Sequence, residues 1–477
     1  MPHTILALDF LHETSPSQLL CWLSKHLDSY PIWLNNDGQN VIGILPKWAI
    51  STHFDSSQNQ YITTNTQRKT IDFYQVAYQN ALIEEDFFHF QQRLTNYYNQ
   101  QSSENFSEDR AYQNGLMGFI SYDCSAHQLA KPTKPSYLSD NQPLAYFGHY
   151  DVYLTFTQAR WQLHLTSEQA ITKADKILSF LAELIKDEPA NLALVASLSL
   201  TPLWQPSAYQ AAFYQVQAYL KAGDCYQINL TQCWQGQLTD RQLVDYLPKL
   251  HQATQAPFAG YVGLNGYELL SCSPELFFTF AVNPVGEHTL ITKPIKGTIP
   301  RGKTASEDIA NKTALAHSEK DTAENVMIVD LLRNDLGKYA KIGSVNVPTL
   351  FAIESFSNVH HMVSTITATL KAGVSPWTVL FDSLPAGSIT GTPKKRAVEI
   401  IHELEAKPRG AYCGTLGYLN FDGTGQWNVL IRTLQASHHQ VSLWAGGGIT
   451  IASECEAEYQ ECFDKVGNLL GLLQHND

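Results

Sequence analysis

Pro294-Ile295-Lys296-Gly297-Thr298-Ile299-Pro300-Arg301-Gly302 is the stretch from which the rest of the chain is read. It follows an alternating run, His288 to Thr292, that reads as a strand. Gly297 and Pro300 predict a sharply bent backbone directly after that run. The bend holds one lysine, Lys296. On a solvated surface such a lysine is an ordinary cation. Enclosed in a low-dielectric pocket it gives up its proton more readily and becomes a nucleophile. The local sequence leaves both readings open.

The chain has 477 residues, enough for two or three domains of ~150 residues or for one large α/β unit. Hydrophobic residues make up 44% and aromatic residues 11%, which can fill a sizeable core. The formal net charge of -13 argues against nucleic acid or an anionic membrane as partner. An anionic small molecule stays possible, because it needs only a local basic pocket. Met1 to Phe10 lacks a basic region followed by a long apolar stretch, and no run of ~18 apolar residues occurs anywhere. The expectation is therefore no signal peptide, no membrane span and a cytoplasmic location. The 8 cysteines include no C-x-x-C pair and read as reduced core thiols. The 17 histidines give no zinc-binding pattern.

Two regions are expected, 1–190 and 206–474. In the first, Ile32-Trp33-Leu34 and His149 to Leu154 read as strands, Gln91 to Gln113 as a polar exposed excursion, and 167–187 as helical. A connector runs from about Asp187 to Pro206. In the second, Pro206-Ser207 opens a helix with Ser207 as cap, ending at Gly223. Strands are predicted near 225–234, 257–264, 267–272, 276–281, 358–370, 411–420, 426–435 and 440–445. One long helix is predicted at 306–336, another capped by Thr392 with Pro393 at its first position, and a last one from Glu456 to Gln474. Runs of strands interrupted by helices, without strict alternation, predict an α+β class, with large sheets forming a sandwich flanked by helices.

Several side chains could carry chemistry. Glu458, Glu461 and Lys465 form one stripe of the last helix. Two carboxylates one turn apart can share a hard cation, but acidic residues in a first turn also serve the helix dipole and face water. Glu324 lies beside an apolar stripe with Met327, Ile328 and Leu331, either as a boundary residue or as a buried carboxylate needing a partner. Ala386 to Lys394, with Ser388 in it, leads to a helix N-terminus suited to a carboxylate, without the spacing of a Walker A loop. Gly446, Gly447 and Gly448 either let backbone approach a ligand closely or make a tight turn. Arg432 interrupts the apolar run Leu430 to Leu434 and wants a carboxylate from protein or ligand.

Taken together and in this order over residues 206–467, these segments resemble the chorismate-utilising enzymes. The Pro294–Thr298 motif resembles the version with lysine, found in the branch that aminates chorismate at C4; the anthranilate synthases carry alanine at that position. The resemblance implies large antiparallel sheets of the anthranilate synthase component I type. It implies Lys296 as covalent nucleophile, Glu275 as an acid near C4 and His361 near the departing hydroxyl. Taken alone, Glu275 reads equally as a turn carboxylate and His361 as a strand histidine. Contacts to chorismate are implied for Gly297, Thr298, Ser388, Tyr412, Arg432, Lys465, Gln227 and the Gly446–Gly448 loop. Mg²⁺ is implied on Glu324 and Glu461, with Glu458 in or next to its shell.

Members of the family that add water place a lysine base where this chain has Gln227. Glutamine cannot deprotonate water, so ammonia is the expected nucleophile. No glutaminase segment is visible, and the ammonia is expected from a glutamine amidotransferase subunit, component II, or from solution. The N-terminal third resembles the family more loosely. Trp33-Leu34-Asn35-Asn36 has asparagine where relatives place a serine that helps hold tryptophan, so a tryptophan pocket near Asn36 stays open. The implied activity is amination of chorismate at C4, in 4-aminobenzoate and folate biosynthesis. The alternatives are anthranilate synthase component I, opposed by Lys296, and a non-catalytic chorismate- or tryptophan-binding regulator, opposed by the presence of acid, base and nucleophile together.

Overall fold

The computed structural model describes residues 3–26, 30–71, 77–102, 111–130, 138, 142–186, 197–239, 241–356, 359–405 and 407–474. Two antiparallel sheets of 12 strands each draw on both halves of the chain. In the first sheet Ile32–Asn36 lies beside Phe258–Leu264, with Trp33 opposite Tyr261. In the second, Gly115–Ile120 lies beside Thr415–Asn420, with Phe119 opposite Leu416. One apolar core gathers side chains from both sheets, among them Trp33 and Ile228 from the first and Phe147 and Trp427 from the second. Burying such large apolar surfaces is the main driving force for keeping the sheets together.

The chain changes sheets twice at one place. Tyr267–Ser273 belongs to the first sheet and Leu276–Val282 to the second, with Pro274 and Glu275 between them. Gly425–Asn428 belongs to the second sheet and Thr433–Ser437 to the first, with Val429 to Arg432 between them. The two crossings are tied together: Val429 N–H donates to the Glu275 carbonyl at 3.0 Å, and Ser273 Oγ donates to the Val429 carbonyl at 2.6 Å. The run 426–435 therefore holds two strands of different sheets, not one. Arg432 sits at the crossing with φ +52° rather than inside a strand.

Other expectations are corrected in the same way. The bend at Pro294–Gly302 is a strand, Ile295–Pro300, paired with Val359–Thr369. Its register shifts between Ile295 and Thr298, so Lys296 and Gly297 form a bulge. Gly297 has φ +87°, and a Cβ there would stand 2.9 Å from Asp321 Cγ and 2.9 Å from Leu315 Cδ1. Glycine thus serves both the bulge and the packing of the helices laid on it. The 306–336 helix is two helices, Ala305–Ala316 and Glu319–Gly337, because Ser318 caps the second by accepting from Asp321 N–H.

The part of Gln91 to Gln113 that is described is mostly helix, Phe87–Gln101, with Phe87, Phe90, Leu94 and Tyr98 buried. The buried stripe was hidden among polar neighbours; residues 103–110 lie outside the described residues. The described residues of 167–187 give Glu168–Ile171 and Ala174–Lys186; residues 187–196 of the connector lie outside the description. Gln205, not Ser207, is the cap of Pro206–Ala222, which ends at Gly223 in the left-handed region. Thr392 pairs with Gln227 in the first sheet, and the following helix is Lys394–Leu404. The glycine run 446–448 lies within the strand Gln440–Ile449.

An ion pair fixes the segments that converge here. Arg409 Nη2 lies 2.6 Å from Glu405 Oε1, and Nε lies 2.7 Å from Oε2. The same guanidinium donates to the Asn229 carbonyl at 2.7 Å and the Ile389 carbonyl at 3.3 Å. It lies 4.7 Å from the Tyr122 ring centre and 5.9 Å from that of Tyr412. Both side chains are almost wholly buried. Arg409→Met should lower stability by about 3–5 kcal/mol, because it strands a buried carboxylate. Glu405→Gln in the same chain should recover part of that loss. Urea unfolding monitored by tryptophan fluorescence measures both, and an unchanged midpoint for Arg409→Met would refute the clamp.

Candidate active site

The bulge in Ile295–Pro300 points Lys296 at the first turns of Glu319–Gly337. Lys296 Nζ stands 3.9 Å from Glu324 Oε2, and both side chains are 13% exposed. Burial draws the Lys296 ammonium below the ordinary lysine value; Glu324 opposes this and Lys465 adds to it. Burial raises the Glu324 carboxyl, with Lys296 and Lys320 holding it back. The lysine is thus the enclosed one of the two readings.

Glu275, at the first crossing, is buried. Its carboxyl is pushed up to about 7, chiefly by burial, and is restrained by Lys296 and by the Ser388 hydroxyl. Ser388 Oγ donates to Glu275 Oε1 at 3.2 Å. Ser388 comes from the short turn Gly387–Ile389, held against the long helix by Leu331. A Cβ on Gly387 would meet Leu331 Cδ2 at 2.2 Å, so glycine allows the contact. His361 lies opposite Thr298 in the ladder, and its Nδ1 is 2.7 Å from Thr298 Oγ1. Burial and the Arg432 guanidinium push the imidazole down to about 4, so it is neutral at pH 7. Arg432 makes no hydrogen bond or ion pair through its guanidinium among the described residues. A cation so placed suits an anionic ligand.

The strand Gln440–Ile449 forms another wall. A Cβ on Gly447 would stand 2.7 Å from Glu458 Oε2 and 3.1 Å from Glu461 Oε1, and one on Gly448 would stand 2.0 Å from Gln227 Nε2. The glycines leave bare backbone facing these side chains. Lys465 Nζ donates to the Gly446 carbonyl at 2.8 Å and stands 2.6 Å from Glu461 Oε1. Burial pushes Glu461 up, but Lys465, Lys320 and Lys296 together bring it below the ordinary carboxylate value. Glu458 Oε1 takes Lys320 at 3.3 Å and the Ser453 hydroxyl at 2.7 Å.

Among the described residues no three His, Cys, Asp or Glu side chains stand as a ready metal-holding group. Glu324, Glu458 and Glu461 are instead each set on a lysine. They are nonetheless close enough for both Glu458 and Glu461 to push the Glu324 carboxyl up. Among the described residues Glu324 Oε1 and Glu458 Oε2 have no hydrogen-bond partner, and both are buried. Three hard oxygen donors, two of them with an unsatisfied buried oxygen, fit an Mg²⁺ ion.

Lys296, Glu275, Glu324, Glu458, Glu461 and Lys465 therefore stand near enough to act on one another's charge, and Ser388 joins them through Glu275. Tyr412 is 4% exposed and packs against Arg409 and Trp444. Three residues were not anticipated. Asn229, two along the strand from Gln227, has a buried Nδ2 with no partner among the described residues, as Gln227 has for both its amide atoms. Asn325 is buried and accepts from Ser364 Oγ at 2.6 Å. Lys320 precedes Glu324 by one helical turn, a spacing visible in the sequence. Away from this site, Asn35 spends its amide on the Ala256 carbonyl and the Gly38 N–H, beside a cleft of about 660 Å³. All eight cysteines are free, and no helix among the described residues is long and apolar enough to cross a membrane.

Residues 54–471 match the family model described as chorismate binding enzyme. The chain is 40% identical over 375 residues to aminodeoxychorismate synthase component 1 of Escherichia coli (strain K12), covering 77% of this chain and 79% of that protein. It is 33% identical over 387 residues to anthranilate synthase component 1 of Bacillus subtilis (strain 168), covering 75% and 73%. Among solved structures, anthranilate synthase component I from Streptococcus pneumoniae TIGR4 matches with a TM-score of 0.73 and 25% identity, over 91% of this chain and 92% of that one.

The raised carboxyl of Glu275 has a stability consequence. Its folded value of about 7 exceeds the ordinary 4.5. Its contribution is therefore fully present below about pH 4.5 and is lost as pH rises through about 7. Glu275→Gln, which cannot ionise, should melt higher than the parent at pH 8, and the difference should close near pH 5. Thermal melts at the two pH values measure this; a difference that does not change with pH would contradict the raised value.

Proposed function

The chain belongs to the chorismate binding enzymes, and on that premise we propose that it replaces the C4 hydroxyl of chorismate with an amino group, giving 4-amino-4-deoxychorismate. The observation that carries this reading is Lys296, enclosed beside Glu324 with its charge disfavoured. The higher identity to the aminodeoxychorismate synthase component than to the anthranilate synthase component supports the same choice.

The chemistry follows from the side chains. The amine form of Lys296, which burial favours, attacks C2 of the ring, the ring double bond shifts, and the C4 hydroxyl leaves. Glu275, titrating near 7, gives that hydroxyl its proton, so water departs. Neutral His361, whose Nδ1 meets Thr298 Oγ1, would be the second group to serve the departing oxygen. Ammonia then attacks C4, the double bond returns, and Lys296 is expelled as an amine. The proton that the new ammonium sheds restores Glu275. Arg432 and the bare backbone of Gly446–Gly448 receive the substrate's carboxylates. Gln227 is an amide and cannot activate water, which leaves ammonia as the nucleophile.

Glu324, Glu458 and Glu461 are the residues that would hold Mg²⁺, whose charge would neutralise a substrate carboxylate. The relatives' designation as a component supports a second subunit, a glutamine amidotransferase, as the source of ammonia for this chain. The product would serve 4-aminobenzoate and folate biosynthesis in the cytoplasm. The rival reading, anthranilate formation, differs in product.

The decisive assay supplies chorismate, Mg²⁺ and ammonium and identifies the product by mass. A product that keeps the enolpyruvyl group is expected; anthranilate with pyruvate would overturn the proposal. The rate with ammonium alone should rise with pH toward the pKa of ammonium, since only ammonia is nucleophilic. Lys296→Ala should lose most C4 amination, and parent-like rates would remove the lysine from the mechanism. Glu461→Gln should raise the Mg²⁺ requirement at least ~10-fold, read from activity against Mg²⁺ concentration; an unchanged requirement would put Glu461 outside the metal shell.

A further inference from the structure

Resting on the magnesium reading above, we propose that Lys320 is a built-in counter-ion of the three-glutamate site, one that a divalent cation must displace in order to bind. Lys320 lies on the helix Glu319–Gly337 one turn before Glu324 and reaches across to Glu458 on Cys455–Gln474. Its Nζ is 3.3 Å from Glu458 Oε1, and its charge also acts on Glu324 and Glu461. It thus bridges the two helices that carry the expected metal ligands.

The other two lysines at the site are less free to leave. Lys296 is 13% exposed and sits on the bulge. Lys465 is tethered twice, to Glu461 and to the Gly446 carbonyl. Lys320 is 57% exposed, and among the described residues its side chain's one hydrogen bond is to Glu458. Its side chain can swing into water at the cost of that ion pair alone. The need for it is plain from the charges: among the described residues Glu324 Oε1 and Glu458 Oε2 already lack partners, and removing the ammonium would leave Glu458 without its ion pair. The need to remove it is equally plain. A dication ligated by Glu458 would stand beside the ammonium, and like charges at that range repel. Lys320 thereby stabilises the metal-free protein and weakens its affinity for the metal.

The test compares the parent with Lys320→Met and Lys320→Arg. Calorimetric titration of MgCl₂ without substrate gives affinity, and thermal melts with and without Mg²⁺ give stability. Lys320→Met should bind Mg²⁺ about two- to fivefold more tightly, the range expected when a half-exposed ion pair no longer competes. It should also melt below the parent without metal, and both differences should shrink at high salt. Lys320→Arg keeps the charge and should follow the parent. Equal or weaker Mg²⁺ binding by Lys320→Met would overturn the proposal and leave the magnesium site standing. Absence of Mg²⁺ binding in the parent and in Lys320→Met, with amination intact, would remove the magnesium reading and this proposal with it.

Discussion

Lys296 and Glu324 face each other at 3.9 Å across the gap between a sheet edge and a helix, each almost closed off from water. Burial disfavours charge on both, and each is the nearest source of opposite charge for the other. Much of the surrounding architecture serves that meeting. The bulge at Lys296-Gly297 aims the lysine, and the positive φ of Gly297 makes the bulge possible. Asp321 and Leu315 press on the glycine, so the helices settle close enough for Glu324 to reach. A side chain on residue 297 would push them away.

The second organising feature is the pair of sheet crossings. The chain passes between the two sheets at several points, and two of these connections run side by side here. Backbone at a crossing has left one ladder and not yet joined the next. Its side chains can therefore point between the layers instead of into a core or out to water. Glu275 and Arg432 occupy these positions, on two crossings that are bonded to each other. The Arg409–Glu405 clamp holds the neighbouring segments by bonding to carbonyls of the Asn229 strand and the Ser388 turn. It is a structural ion pair placed where a small displacement would move Ser388 away from Glu275.

Much of the fold was legible in the sequence, because the period of buried residues follows from local geometry. The strand His288–Lys293, the helix ending at Gly223 and the last helix were all readable from alternation, a glycine stop and helical spacing. The misreadings share a cause. A single apolar run, 426–435, reads as one strand whether or not the chain changes sheets within it. The stripe Phe87, Phe90, Leu94 and Tyr98 was obscured by the polar residues around it. The break at Ser318 required weighing a cap against a continuing helical pattern.

What the sequence determined by itself was the cast of chemistry: a lone lysine beside a glycine, acidic residues at helical spacing, a run of three glycines, and an arginine amid apolar neighbours. Residue type and spacing are local properties, so they survive without a structure. What only the tertiary structure decided was the state of those groups. Burial drew Lys296 below the ordinary lysine value, pushed Glu275 up to about 7 and, with Arg432, pushed His361 down to about 4. Lys320 became the partner of a carboxylate 138 residues away. Each of these follows from desolvation and from charges brought close by distant segments, and neither can be read from a residue's neighbours in the chain.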